Sequence, residues 1–226
     1  MLERNNRKPF SALQRFARQP LEAAQPTQQA AQQAAQEQCE LCGEPILPEH
    51  RHLAEVSRRE IKCVCQACSI LFSRREASIG RYVLVPDRYV YFEDFHLDDT
   101  QWEGLRIPVG LAFFFRSTPV GKCVAFYPSP MGPTESLLDL STWEELEQSN
   151  PPLREMKWDV EALLVNRARD AREYFLVPID ECYRLVGLIR MHWKGLSGGQ
   201  DVWQEITGFF AALRERSVTM GTEGEQ

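Results

Sequence analysis

Two Cys-x-x-Cys pairs, Cys39-Glu40-Leu41-Cys42 and Cys65-Gln66-Ala67-Cys68, are the residues whose types and spacing specify chemistry most directly. Two intervening residues let both thiolates of a knuckle reach one ion at about 2.3 Å. Two such knuckles complete a tetrahedral four-sulfur shell that admits no further ligand, the mark of a structural centre. Cys39, Cys42, Cys65 and Cys68 are therefore the candidate metal ligands, with zinc as the expected ion. The 22 residues between the pairs slightly exceed the usual ribbon spacing, and a β-hairpin can absorb the excess. A structural zinc would contribute about 10–16 kcal/mol of apparent folding free energy at neutral pH.

Three further residues lie close by. Cys63 and Cys65 are two apart, so on a predicted strand both face one side. There Cys63 could replace a ligand, support a cluster or pack beneath the hairpin, and packing is the expectation. His50 and His52, also two apart, are expected to be half-exposed strand histidines, with ligation or support of a ligand as the alternative. Gly43 gives the first knuckle a likeness to that of rubredoxin, where small residues let backbone N–H groups reach sulfur. Ser69 stands at the corresponding place after the second knuckle. Iron, in a rubredoxin-like or iron–sulfur redox carrier, is the alternative occupant of the same cysteines. The order Cys-x-x-Cys, His-x-His, Cys-x-x-Cys also invites comparison with zinc-containing HNH nucleases, in which a histidine activates water and an ion on His/Asn ligands stabilises the leaving oxygen. No asparagine lies between Cys39 and Arg81, and residues 39–80 carry six basic and six acidic side chains. Nuclease activity, and enzyme activity in general, is not expected.

The chain that positions these residues has the composition of an ordinary soluble globular protein: 226 residues, 43 % hydrophobic and 26 % charged. Its longest apolar run, Val109 to Phe115, falls far short of the ~20 residues that span a bilayer. No secretory signal is recognisable. A cytoplasmic location without membrane insertion is expected, and a local cysteine cluster in a reducing compartment reads as a metal site before it reads as disulfides. The formal charge is −6 and is carried by residues 81–226, which hold 15 basic and 23 acidic side chains. That balance excludes general affinity for nucleic acid.

Residues 1–38 form a tail and linker. Phe10, Leu13, Phe16 and Ala17 recur at helical spacing, and residues 19–38 are a Gln/Ala tract too poor in apolar side chains to order itself. The metal module spans 39–80, with HRHLAEV and REIKCVC as a hairpin and a helical turn after Cys68. An α+β domain follows over 81–216. RYVLVP, YVYFEDF and YFLVPI are expected strands, and LAFFFRS and KCVAFYP are a central hairpin covered on both faces. Ser141 and Glu144 have capping-box spacing before a helix that Asn150-Pro151-Pro152 ends. Asp159 is expected to open a second helix, DVEALLVNRARDA, with Val160, Leu163, Leu164 and Ala168 on one side. Asp180 caps a helix carrying Cys182, Leu185, Val186, Ile189 and Trp193, with Gly195 at its C′ position. Asp201 caps a last helix carrying Val202, Ile206, Phe209, Phe210 and Leu213, and residues 217–226 read as a disordered tail. RYVLVP and EYFLVP are similar, but six residues are too few to establish duplication.

The remaining motifs are expected to be structural. The last helix exposes Gln204, Glu205, Thr207 and Ala211, a poor set for DNA, so the final two helices read as a packing hairpin. GLSGG lacks the Lys-Ser/Thr of a phosphate loop. Asn166, Arg167, Arg169 and Arg172 read as a solvated face, and Cys123 and Cys182 as inert buried cysteines.

The strings CELCGEPILPEHRHL and CVCQACSILF, with IPVGLAFFFRS, AFYPSPMGPTESLLDL, VEALLVNRA and VPIDECYRLVGLIRMHWKGLSGG, resemble an uncharacterised bacterial family. That family is associated with gene clusters for actinobacterial-type uptake NiFe-hydrogenases. The resemblance covers about residues 39–215 and implies an accessory role in hydrogenase assembly, maturation or electron transfer, with a hydrogenase subunit or maturation factor as protein partner. The expected architecture is α+β: a zinc-knuckle module, zinc-ribbon or treble-clef-like, followed by an antiparallel-sheet domain with a C-terminal helical hairpin.

Overall fold

In the computed structural model, which describes residues 37–73, 78–137, 140–195 and 198–221, the apolar alternation after the first Cys pair becomes a hairpin. Strands β1 (Arg51–Glu55) and β2 (Glu60–Val64) pair antiparallel, with Arg59 at φ 54° in the turn between them. Helix α1 (Gln66–Leu71) follows at once. Strand β3 (Tyr82–Leu84) pairs with the other edge of β1, giving a three-stranded sheet in the order β2-β1-β3. The segment of helical spacing from Phe10 to Ala17 lies outside the described residues.

A second sheet has seven strands: β4 (Val90–Phe92), β5 (Leu111–Ser117), β6 (Lys122–Ser129), β7 (Gly132–Ser136), β8 (Glu161–Asn166), β9 (Glu173–Pro178) and β10 (Val218–Met220). Their order is β10-β4-β9-β8-β5-β6-β7, and every pairing is antiparallel except the parallel β10–β4 edge. Both sheets belong to one compact unit that starts at Gln38. The β5–β6 hairpin turns at Gly121, whose φ of 71° is costly for a residue with a Cβ.

Pleating divides this sheet into two cores. Phe113, Phe115, Leu164, Phe175 and Val177 point to one side, toward helices α4 (Ile179–His192) and α5 (Gly199–Arg216). Ala112, Phe114, Leu163, Val165 and Leu176 point to the other, toward α3 (Leu140–Ser149), Leu153 and Met156. Helix α2 (Asp99–Gly104), with an Asp98/Gln101 capping box, lies on this second side ahead of Leu105 and Ile107. Helices α4 and α5 pack together as the expected hairpin through Leu185, Val186, Ile189, Val202, Ile206 and Phe210.

The structure corrects several expectations. The segment from Asp159 is not a helix: it contains β8, with all six residues buried between the two cores. Val160, Leu163 and Leu164 fit helical spacing, but EALLVN is equally an apolar run of strand length, a pattern that periodicity does not resolve. Its paired neighbours β5 and β9 decide the outcome. Asp180 and Asp201 are not caps. Pro178 and Gly198 hold the N-cap positions, and each aspartate lies inside the first turn, where Asp201 pairs with Lys194 at 2.6 Å. Ser141 likewise sits inside α3, which begins at Leu140. Residues 218–220, expected in a disordered tail, form β10 at the sheet edge. RYVLVP and EYFLVP fall in different sheets.

Only part of the basic run is a solvated face: Arg169 and Arg172 are exposed, whereas Asn166 and Arg167 are buried. Arg167 is buried, donates to the carbonyls of Leu97 (2.9 Å) and Asp98 (3.1 Å), and pairs with the Asp99 carboxylate. Asn166 is buried against Glu173, and the Arg169 guanidinium lies over the Trp203 ring at 4.7 Å. These contacts clamp the end of β8 to α2 and α5.

Candidate metal centre

The first knuckle is built by its own backbone. Gln38 and Pro45 form an antiparallel bridge, the Cys39 N–H donates to the Glu44 carbonyl (2.8 Å), and the Gly43 N–H donates back to the Cys39 carbonyl (2.8 Å). Gly43 closes this turn at φ 78°, the conformation that favours glycine. The Glu40 N–H donates to the Cys63 carbonyl at 2.9 Å, hooking the knuckle onto the end of β2.

The second knuckle is a helix start. Cys65 is the N-cap of α1, and its sulfur accepts the Cys68 N–H at 3.4 Å. The cap and the third helical residue thus present both sulfurs on one side, toward the first knuckle. Beneath them, Cys39, Ile46, Leu53, Val64 and Cys68 form a small apolar core of their own.

Each of Cys39, Cys42, Cys65 and Cys68 offers a sulfur within 4.8 Å of the other three. The Cys42 and Cys65 sulfurs, one from each knuckle, are 3.7 Å apart. A tetrahedron with metal–sulfur bonds of ~2.3 Å has an edge of about 3.8 Å. The donor set and its dimensions therefore fit one ion, and the four cysteines could hold it. The electrostatics point the same way. Burial raises the Cys39 thiol, but backbone N–H groups of Cys65, Leu41 and Cys42 and the Cys42 thiol outweigh it and bring it down to about 6. Burial and the three neighbouring cysteines push Cys68 well up. The Glu44 N–H pulls Cys42 down, yet the thiols of Cys39 and Cys65 leave it above its ordinary value. One thiolate forms readily and burdens its neighbours; a divalent cation removes that conflict.

Cys63 does not join this group. Strand β2 ends at Val64, so the two-residue repeat does not carry to Cys65, which turns away to cap α1. Cys63 instead clusters with His50 and His52, each of the three offering a ligand atom within 4.8 Å of the others. The histidines are half-buried, with ring centroids 4.8 Å apart and nearly perpendicular planes. Nδ1 of His52 lies 2.7 Å from Oδ2 of Asp180 on α4, a partner that spacing along the sequence could not reveal. Cys123 and Cys182 are buried in the two cores of the seven-stranded sheet, where burial pushes both thiols well above their ordinary values. No helix among the described residues is long and apolar enough to cross a membrane.

Fold and site together define an α+β protein with one antiparallel and one mixed sheet and a four-cysteine cluster near its N-terminus. Residues 38–217 match a Family of unknown function (DUF5947), and the chain belongs to that family. No curated protein and no solved structure matches it.

Proposed function

We propose that Cys39, Cys42, Cys65 and Cys68 hold one structural zinc, and that the protein is a non-catalytic cytoplasmic accessory or adaptor whose α+β body docks a protein partner. The observation that carries the zinc reading is the convergence of four sulfurs at tetrahedral spacing, Cys42 to Cys65 at 3.7 Å. The order knuckle, hairpin, helix, with the second pair on a helix start, favours a treble-clef-like module over a ribbon. The NiFe-hydrogenase setting rests on the resemblance of the sequence strings, with a hydrogenase subunit or maturation factor as partner and assembly or maturation as the process.

A rubredoxin-like iron centre is the second reading. It is favoured by the rubredoxin-like turn of the first knuckle, which Gly43 closes at φ 78° with its N–H on the Cys39 carbonyl. Anaerobic purification, metal analysis and an absorption spectrum separate the two. Zinc that is lost in Cys39→Ser/Cys42→Ser, with no visible band, supports the first; iron with visible thiolate charge-transfer bands replaces it with the second. Co-purification with a hydrogenase subunit or maturation factor, and a hydrogenase defect on deletion, test the accessory role; neither being found removes it.

A further inference from the structure

The three-stranded sheet has two faces with different chemistry. Leu53, Val64 and Leu84 point toward the four-cysteine centre. Ala54 and Val85, with Ile61 and Val83 packed beside them, join the core of the seven-stranded sheet. His52 and Cys63 share this second face because they are direct partners in the β1–β2 register. His50, just ahead of β1, joins them through its ring, whose centroid lies 4.8 Å from that of His52. Two imidazoles and a thiol are thus gathered at the end of the hairpin that meets the N-terminal turn of α4, with Cys63 also packed against the small core beneath the tetracysteine group.

We propose that His50, His52 and Cys63 form a second metal site, open rather than closed, for a borderline divalent transition ion of the zinc class. The donor set supports the ion: two imidazoles and a thiolate suit zinc or cobalt and are poor ligands for magnesium or calcium. The surroundings support the geometry. Nδ1 of His50 lies 2.8 Å from the Leu47 carbonyl, and Nδ1 of His52 lies 2.7 Å from the Asp180 carboxylate. A carbonyl or carboxylate at one ring nitrogen makes that nitrogen the N–H and places the lone pair on Nε2, which is how metal-binding histidines are oriented. Three protein ligands leave a fourth position. Both histidines line a cleft of about 890 Å³, bordered also by Tyr89, Asp180, Arg184 and Arg216, so that position faces a space able to admit water or a small ligand. Cys63 does not itself line the cleft, and its sulfur lies within 4.8 Å of a ring nitrogen of each histidine.

The site is independent of the tetracysteine reading, and the test counts ions by difference. Full-length protein is titrated with Co2+, desalted and analysed for total zinc plus cobalt. The wild-type chain is expected to retain one ion more than His50→Ala/His52→Ala, whether or not the four-cysteine centre is filled. Beyond any bands from cobalt on the four cysteines, cobalt at the second site should add thiolate charge-transfer intensity that Cys63→Ser lacks. Asp180→Asn, which keeps all three ligands, should weaken retention about 10–100-fold. Equal metal content in the wild type and a folded double-histidine variant overturns the proposal. If circular dichroism shows that variant to be unfolded, Cys63→Ser and Asp180→Asn decide: an unchanged spectrum in the first and unchanged affinity in the second overturn it equally.

Discussion

Cys65 uses one sulfur for two tasks: it caps α1 by accepting the Cys68 N–H, and it faces the Cys42 sulfur across the candidate centre. Serine can do the first but is a poor zinc ligand, and alanine can do neither. Cys65→Ser and Cys65→Ala should both lose the bound metal in elemental analysis. In the metal-free state the serine variant should be more stable by about 1 kcal/mol, the worth of an N-cap acceptor. Glu161 offers a second test at this scale. It is fully buried, and Arg88 holds it through two bonds of 2.9 and 2.7 Å, with the Lys157 N–H as a third donor. Arg88→Ala leaves that carboxylate without its cation and should lower unfolding free energy in urea by about 3–5 kcal/mol. The corresponding loss for Arg81→Ala should be smaller, because Glu55 keeps Arg58 at 3.8 Å and Lys62 at 4.0 Å.

Strand β8 is buried at all six of its residues, and Leu163 and Leu164 send adjacent side chains into opposite cores. Leu163→Ala and Leu164→Ala should each cost about 2–5 kcal/mol in denaturant unfolding. A helix with both residues on one stripe would make their effects strongly coupled; a strand that separates them should leave them nearly additive. The end of β8 is fitted against Gly110. A Cβ there would lie 2.6 Å from the Ala168 Cα and 2.8 Å from the Arg167 carbonyl oxygen, both backbone atoms. Gly110→Ala should therefore destabilise by about 1–3 kcal/mol in the same assay. Such elements show what could be read in advance. The β1–β2 hairpin, the β5–β6 hairpin and the two C-terminal helices were legible because each has a period or a turn of its own. Strand β8 was not, since EALLVN becomes a strand only through β5 and β9, remote in sequence. The Cys-x-x-Cys pairs were legible as local spacing. The grouping of Cys63 with His50 and His52 needed the hairpin register, and Asp180 needed the docking of a helix 128 residues beyond His52.

Taken as a whole, the molecule joins a small sheet with its own thin core to a large sheet with two thick ones. Leu53, Val64, Ile46 and Leu84 are too few to hold the small sheet alone, whereas Ala54, Val85, Ile61 and Val83 lean it on the larger body. With zinc in the four-cysteine centre, chelation should release amide protection first over residues 38–72, followed by hydrogen exchange, while β5, β8 and β9 keep theirs. Loss of protection in both sheets together would show that the metal holds the entire fold. The β1–β2 register has a wider consequence. It sets Leu53 and Val64 in the small core beneath the tetracysteine group and makes His52 and Cys63 direct neighbours on one face. A slip by one residue would exchange the faces of the displaced strand, since side chains alternate at every step. His52 would lose its partner Cys63, and the Glu40 hook on Cys63 would pull the first knuckle out of line with the second. A mispaired hairpin thus assembles neither ligand set. Metal uptake during folding would act as a proofreading step, accepting only chains whose first two strands have met in the right frame.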